Sequence, residues 1–152
     1  MRFFLPLLSL TALGVLSLTS CHKDEAKPQT AAQKLTAHPW RWSGYYDQET
    51  DGHLVDQWMN INPCAKDDIY TYGTDGSFQR AAGEQNCEPE YDAIRKGTWT
   101  LSQQDTILTQ TETYPSYKTT FRVAELTETR LTLRIPKPQT NHEYWVYVYA
   151  PL

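Results

Sequence analysis

The chain has 152 residues, a formal charge of −4 and 39% hydrophobic residues, among them ten Tyr and five Trp. That is enough apolar material for one domain with a core, and the aromatic and Thr content favours strands over helices. The acidic balance, with no basic patch along the chain, excludes a nucleic-acid binder of the usual electrostatic kind.

Met1-Arg2 makes a short positive start, and Phe3 to Thr19 is an apolar, Leu-rich run that ends at Leu18-Thr19-Ser20-Cys21. Charge, length and small residues before the cut define a secretory signal over 1–20, which takes no part in the fold. The last four residues resemble a bacterial lipobox. The resemblance makes Cys21 the lipid-bearing N-terminus of the mature protein, held at a membrane by acyl chains at roughly 0.8 kcal/mol per buried methylene. Residues 21–34 begin polar and contain Pro28, so they read as a lipid-anchored tether before a domain spanning 35–152. Lys23-Asp24-Glu25 resembles a surface-export signal of some Gram-negative lipoproteins, and reads equally as a solvated linker. The expected location is the Gram-negative cell envelope, as an outer-membrane lipoprotein.

Ala31 to Ala37 predicts one or two helical turns with Leu35 as their apolar contact, stopped by Pro39. Strand candidates then follow in order: Trp40 to Tyr46, His53 to Ile61, Ile69 to Gly73, Ser77 to Ala82 and Arg95 to Leu101. They continue with Thr106 to Thr113, Tyr117 to Glu125, Leu131 to Ile135 and Glu143 to Tyr149. The second is the least regular, because Leu54, Val55, Trp58 and Met59 do not alternate. In the others, period-two alternation places Gly97, Trp99 and Leu101 on one face, as it does Tyr117, Thr119, Phe121 and Val123. In the last strand, Tyr144, Val146 and Val148 oppose Trp145, Tyr147 and Tyr149. Most turn signals recur every 8–12 residues or so, the spacing of a sandwich or barrel. The connections are too short for helical crossovers. The simplest closure is an all-β, antiparallel up-and-down barrel of about eight strands, which leaves no exposed edges.

The chain has three cysteines, and a lipidated Cys21 leaves Cys64 and Cys87 as a pair. Thr74-Asp75-Gly76 is a tight-turn signal that sets Tyr72 opposite Ser77. Continued outward with a one-residue bulge, the same hairpin brings Cys64 close to Cys87 at its open end, where a disulfide would close it in an oxidising compartment. A redox role would favour Cys-x-x-Cys spacing, which is absent.

Several of these segments resemble lipocalin-like lipoprotein domains of Gram-negative bacteria. They are Leu35-Thr36-Ala37-His38-Pro39-Trp40, Cys64-Ala65-Lys66-Asp67-Asp68 before Tyr72-Gly73-Thr74-Asp75-Gly76 and Cys87, and Gly97-Thr98-Trp99-Thr100-Leu101. Phe121-Arg122-Val123-Ala124-Glu125-Leu126-Thr127 is the last. The resemblance runs from Leu35 to Ile135, with Pro39 where the family's opening pattern has Gly-x-Trp. It implies a small β-barrel that can enclose a ligand cavity, and it implies no particular activity.

The chemistry the residues offer is sparse. His22, His38, His53 and His142 have no paired ligand spacing, and Asp67, Asp68 and Asp75 do not form a calcium loop. Neither a metal nor a cofactor is expected. No Gly-x-Ser-x-Gly, free Cys–His pair or phosphate-cradling Gly loop is present, so no catalytic residue is named. The aromatic residues remain. Trp40, Trp42, Trp99, Tyr117, Phe121 and Tyr144 are expected to face the barrel interior, where they either fill the core or line a one-ligand cavity. Trp145, Tyr147 and Tyr149 form a second row that would serve as a contact surface if exposed. Two readings follow. One is a non-catalytic, membrane-anchored barrel that binds a small apolar or amphipathic molecule. The other is an envelope interaction module that contacts a protein or glycan over a filled core. Neither fixes the oligomeric state.

Overall fold

The computed structural model describes residues 28–138 and 143–152. The signal segment 1–20, Cys21, Lys23-Asp24-Glu25, His22 and His142 lie outside the described residues. One helix, α1 (Ala31–Thr36), precedes nine strands. These are β1 (Trp40–Gln48), β2 (Leu54–Asp56), β3 (Ile69–Tyr72), β4 (Ser77–Ala81) and β5 (Ile94–Ser102), then β6 (Ile107–Glu112), β7 (Tyr117–Leu126), β8 (Leu131–Pro136) and β9 (Tyr144–Pro151). Every pairing is antiparallel.

β3 to β9 run as a meander, each paired with the next, and β1 closes the ring by pairing with both β9 and β3. The ring therefore has the expected eight strands in up-and-down order. β2 is the ninth, paired with the far end of β1 through Tyr46↔Asp56 to Gln48↔Leu54. The seam between β1 and β3 is short, just Trp40↔Tyr70 and Arg41↔Ile69. Above it, the segment that alternated poorly in sequence leaves the sheet. Instead of a strand to Ile61 it forms a 3₁₀ turn at Trp58–Asn60, and its Trp58 ring lies edge-on to Trp42, with centroids 5.6 Å apart.

Strand directions give the barrel two unlike ends. At one end the turns are tight: Gly73–Gly76, 103–106 and 127–130. The first carries Gly76 at φ +84°, with Gly73 N–H donating to Ser77 O. Tyr72 consequently pairs with Phe78, one residue out from the Ser77 expected, because the loop holds three residues rather than two. α1 packs across this end, next to β3 and β7. Its N-terminus is held by a capping box, in which Thr30 Oγ1 accepts from Gln33 N–H and Gln33 Oε1 from Thr30 N–H. Leu35 drops from α1 into the barrel, fully buried, and Trp40 Nε1 donates to its carbonyl at 2.9 Å. His38 Nε2 lies 2.9 Å from Glu128 O in the β7–β8 turn, tying the plug to the rim. With Leu108, Leu131 and Phe78, these side chains pack this half of the barrel solid.

At the other end the connections are longer, apart from the four-residue β6–β7 turn. Cys64, in a 3₁₀ turn at Pro63–Ala65, is bonded to Cys87 in the loop after β4, with Cα atoms 5.4 Å apart. The pairing is as expected, but the bond joins two loops above the β3–β4 ladder instead of extending it.

Candidate functional site

The half of the barrel away from α1 is not filled. It holds a cavity of about 500 Å³, within the range of about 300–1,000 Å³ usual for small-molecule sites. One wall is aromatic. A bulge in β1 between Trp42 and Gly44 changes the phase of the strand, so that both Trp42 and Tyr45 reach the interior cluster around Tyr147. Trp42 stacks on Tyr147 at 5.6 Å, Phe121 meets Tyr147 edge-on at 5.9 Å, and Tyr70 meets Tyr149 edge-on at 5.2 Å. Ile135 completes the apolar lining.

The opposite wall is charged. Arg80, Arg95 and Glu112 each follow the inward phase of their strand, two residues beyond Phe78, two before Gly97 and two beyond Gln110. Arg80 Nε lies 3.3 Å from Glu112 Oε1 and Arg95 Nη1 3.5 Å from Glu112 Oε2. Arg95 is 8% exposed. A second carboxylate comes from outside the ring: Glu88, on the loop after β4, places Oε2 3.4 Å from Arg80 Nη2 and in contact with Arg95 Nη2. Asp68 stands behind the arginines, buried. Burial and the neighbouring Asp67 push its carboxyl up to about 6, while Arg80 and Arg95 pull it back. Tyr70 is pushed up to about 12, mainly by burial, so it stays a neutral phenol beside Arg80. Deeper in, Gln110 Nε2 donates to the buried Tyr72 hydroxyl. The mouth is framed by Tyr91 and by Pro115, Ser116 and Tyr117 of the β6–β7 turn. Tyr117 is 63% exposed.

The six aromatic residues singled out from the sequence divide. Trp42, Tyr117 and Phe121 line the cavity. Trp40 is interior but belongs to the solid half, locked to Leu35. Trp99 packs edge-on against Tyr72 and donates from Nε1 to Gly73 O, which leaves it in the wall below the cavity. Tyr144 is a correction: it lies on the outer face, in a groove with Arg122 and Arg134, whose guanidinium carbons sit 6.0 and 5.9 Å from its ring. The phase of β9 is the opposite of that assumed. Tyr147 and Tyr149, expected to form a contact surface if exposed, line the cavity. Val146 and Val148 are buried on the outer side of the strand, where Gly44 pairs with Val148 and Arg134 with Val146. The alternation of β9 was plain in the sequence, but apolar residues occupy both of its faces. The charged residues were missed, although each sat in phase with a core position of its own strand.

Among the described residues no group of three or more His, Cys, Asp or Glu is placed to hold a metal ion. No helix there is long and apolar enough to cross a membrane.

No protein-family model matches the chain, and no curated protein matches it. Among solved structures, a lipocalin-like protein from Bacteroides uniformis ATCC 8492 is similar at 16% identity and a TM-score of 0.48, over 78% of this chain and 99% of that one.

Proposed function

We propose that this barrel is a binding protein that takes one small amphipathic molecule into its open half and catalyses nothing. The observation that carries the reading is the cavity itself: an aromatic wall through Trp42, Phe121 and Tyr147 faces a wall with paired arginines and carboxylates. A molecule with an apolar body and a polar end finds a partner for each part. The closed end supports this division, since Leu35 and Trp40 seal it and leave a single filled floor.

The proposed setting is the cell envelope, with Cys21 lipidated and the residues between it and α1 as the tether of a lipocalin-like lipoprotein, since α1 takes Ala31 to Lys34 of the expected tether into the folded domain. Native mass spectrometry of the protein purified from its own host under oxidising conditions tests the binding reading. A discrete added mass that is lost on denaturation is the expected result, and its value gives the ligand class. A bare chain from host and from supplemented extract alike, two hydrogens short of the reduced mass, would move the assignment to an interaction module. The exposed rim of Tyr114 and Tyr117 would then be the first surface to probe.

A further inference from the structure

We propose that Arg80 and Arg95 form the head-group subsite for a carboxylate-bearing amphipathic ligand, and that Glu88 is a built-in stand-in for that carboxylate. The inference rests on the cavity reading above and names the chemistry of its polar end.

The two carboxylates that hold the guanidinium groups differ in how they are themselves held. Glu112 belongs to the barrel wall: its side chain is 10% exposed, and its two oxygens are divided between the arginines. It cannot leave without the strand. Glu88 belongs to a loop, and its side chain is 45% exposed. A single oxygen of Glu88 bridges Nη2 of both arginines at the cavity. A ligand carboxylate in this position would accept charge-assisted hydrogen bonds from both arginines.

The loop backbone is anchored independently of that contact. Cys87 is bonded to Cys64, Glu84 N–H donates to Asp67 Oδ2 at 2.7 Å, and Tyr91 N–H donates to Glu88 O at 3.0 Å. Rotation of the Glu88 side chain alone therefore vacates the arginines. Replacing one carboxylate by another leaves the local charge unchanged. A dianion such as a phosphate monoester would add a negative charge beside Glu112 and Asp68, so the site favours a monoanion. With the carboxylate there, an apolar body extends towards Phe121 and Tyr147 across the same cavity.

The test uses two probes with one tail, dodecanoate and dodecanol, titrated calorimetrically against the disulfide-bonded protein and its Glu88→Gln variant. The variant should bind dodecanoate tighter by at least about tenfold, the scale of freeing a charge-assisted hydrogen bond. Its affinity for dodecanol should change far less. Glu88→Ala, run alongside, must show the same selectivity. Dodecanol binding with no gain for dodecanoate overturns the inference and leaves the cavity reading standing. An equal gain for both probes also overturns it, because Glu88 would then act by bulk. Failure of both probes on every protein removes the cavity reading and the inference together.

Discussion

At the scale of single residues, two positions show how tightly the barrel constrains its wall. Gly97 lies where β5 crosses close to β6: a Cβ there would come within 1.9 Å of Thr111 O, a backbone atom that cannot swing aside. Gly97→Ala is expected to cost more than about 2 kcal/mol, the upper range of overpacking penalties, measured by urea unfolding. A near-neutral result would mean that the two strands can separate. Asp68 makes the second case. Its carboxyl is raised to about 6, first by burial, against an unfolded value near 4. The folded protein therefore holds the proton more tightly than the unfolded chain does. Stability is lost as pH rises from about 4 to 6 and is not regained above that. Asp68→Asn should unfold at a higher temperature than the wild type at pH 8, with the gap closing near pH 4. A constant gap across that range would show that the carboxyl titrates normally.

At the scale of elements, the loop after β4 matters most, because it supplies Glu88 and Tyr91 to the cavity mouth without being part of the sheet. The disulfide spans 23 residues, which in the chain-entropy account is worth about 3 kcal/mol. Replacing Cys64 and Cys87 together by Ser should lower unfolding stability by about that amount. The strand ladders do not pass through the bond, so the far-ultraviolet circular dichroism of the folded state should be retained. Loss of the β signal would show that the bridge organises the barrel and not just its mouth. The helix α1 works at the other end. Its capping box and the Trp40–Leu35 hydrogen bond make a six-residue helix, too short to persist alone, into a plug.

At the scale of the whole molecule, the barrel is asymmetric along its axis. Tight turns and α1 close one end, and disulfide-linked loops and an aromatic rim surround the other. A tether from Cys21 would reach the domain at α1, on the closed end. The anchored protein would then present its cavity away from the membrane. Lipidation predicts that the wild type sediments with membranes and that Cys21→Ser is recovered in the soluble fraction. Wild-type protein in the soluble fraction would remove the anchor.

Strand number, the up-and-down order and the cysteine pair were legible in the sequence because each depends on local information. Alternation and turn residues act within a few positions, and with Cys21 read as the lipid-bearing residue only one pairing remained for Cys64 and Cys87. The His53–Ile61 segment also announced its irregularity by failing to alternate. The inward phase of β9, the bulge that turns Trp42 and Tyr45 together, and the meeting of Arg80, Arg95, Glu112 and Glu88 depended on closure of the ring. Alternation says that two faces differ but not which is inside, and β9 carries apolar residues on both. A charged residue in phase with a core strand reads as an exception until neighbouring strands bring its partner to the same height. Only the folded barrel separated the filled half from the empty one, because packing is decided by side chains that meet across the ring and are distant along the chain.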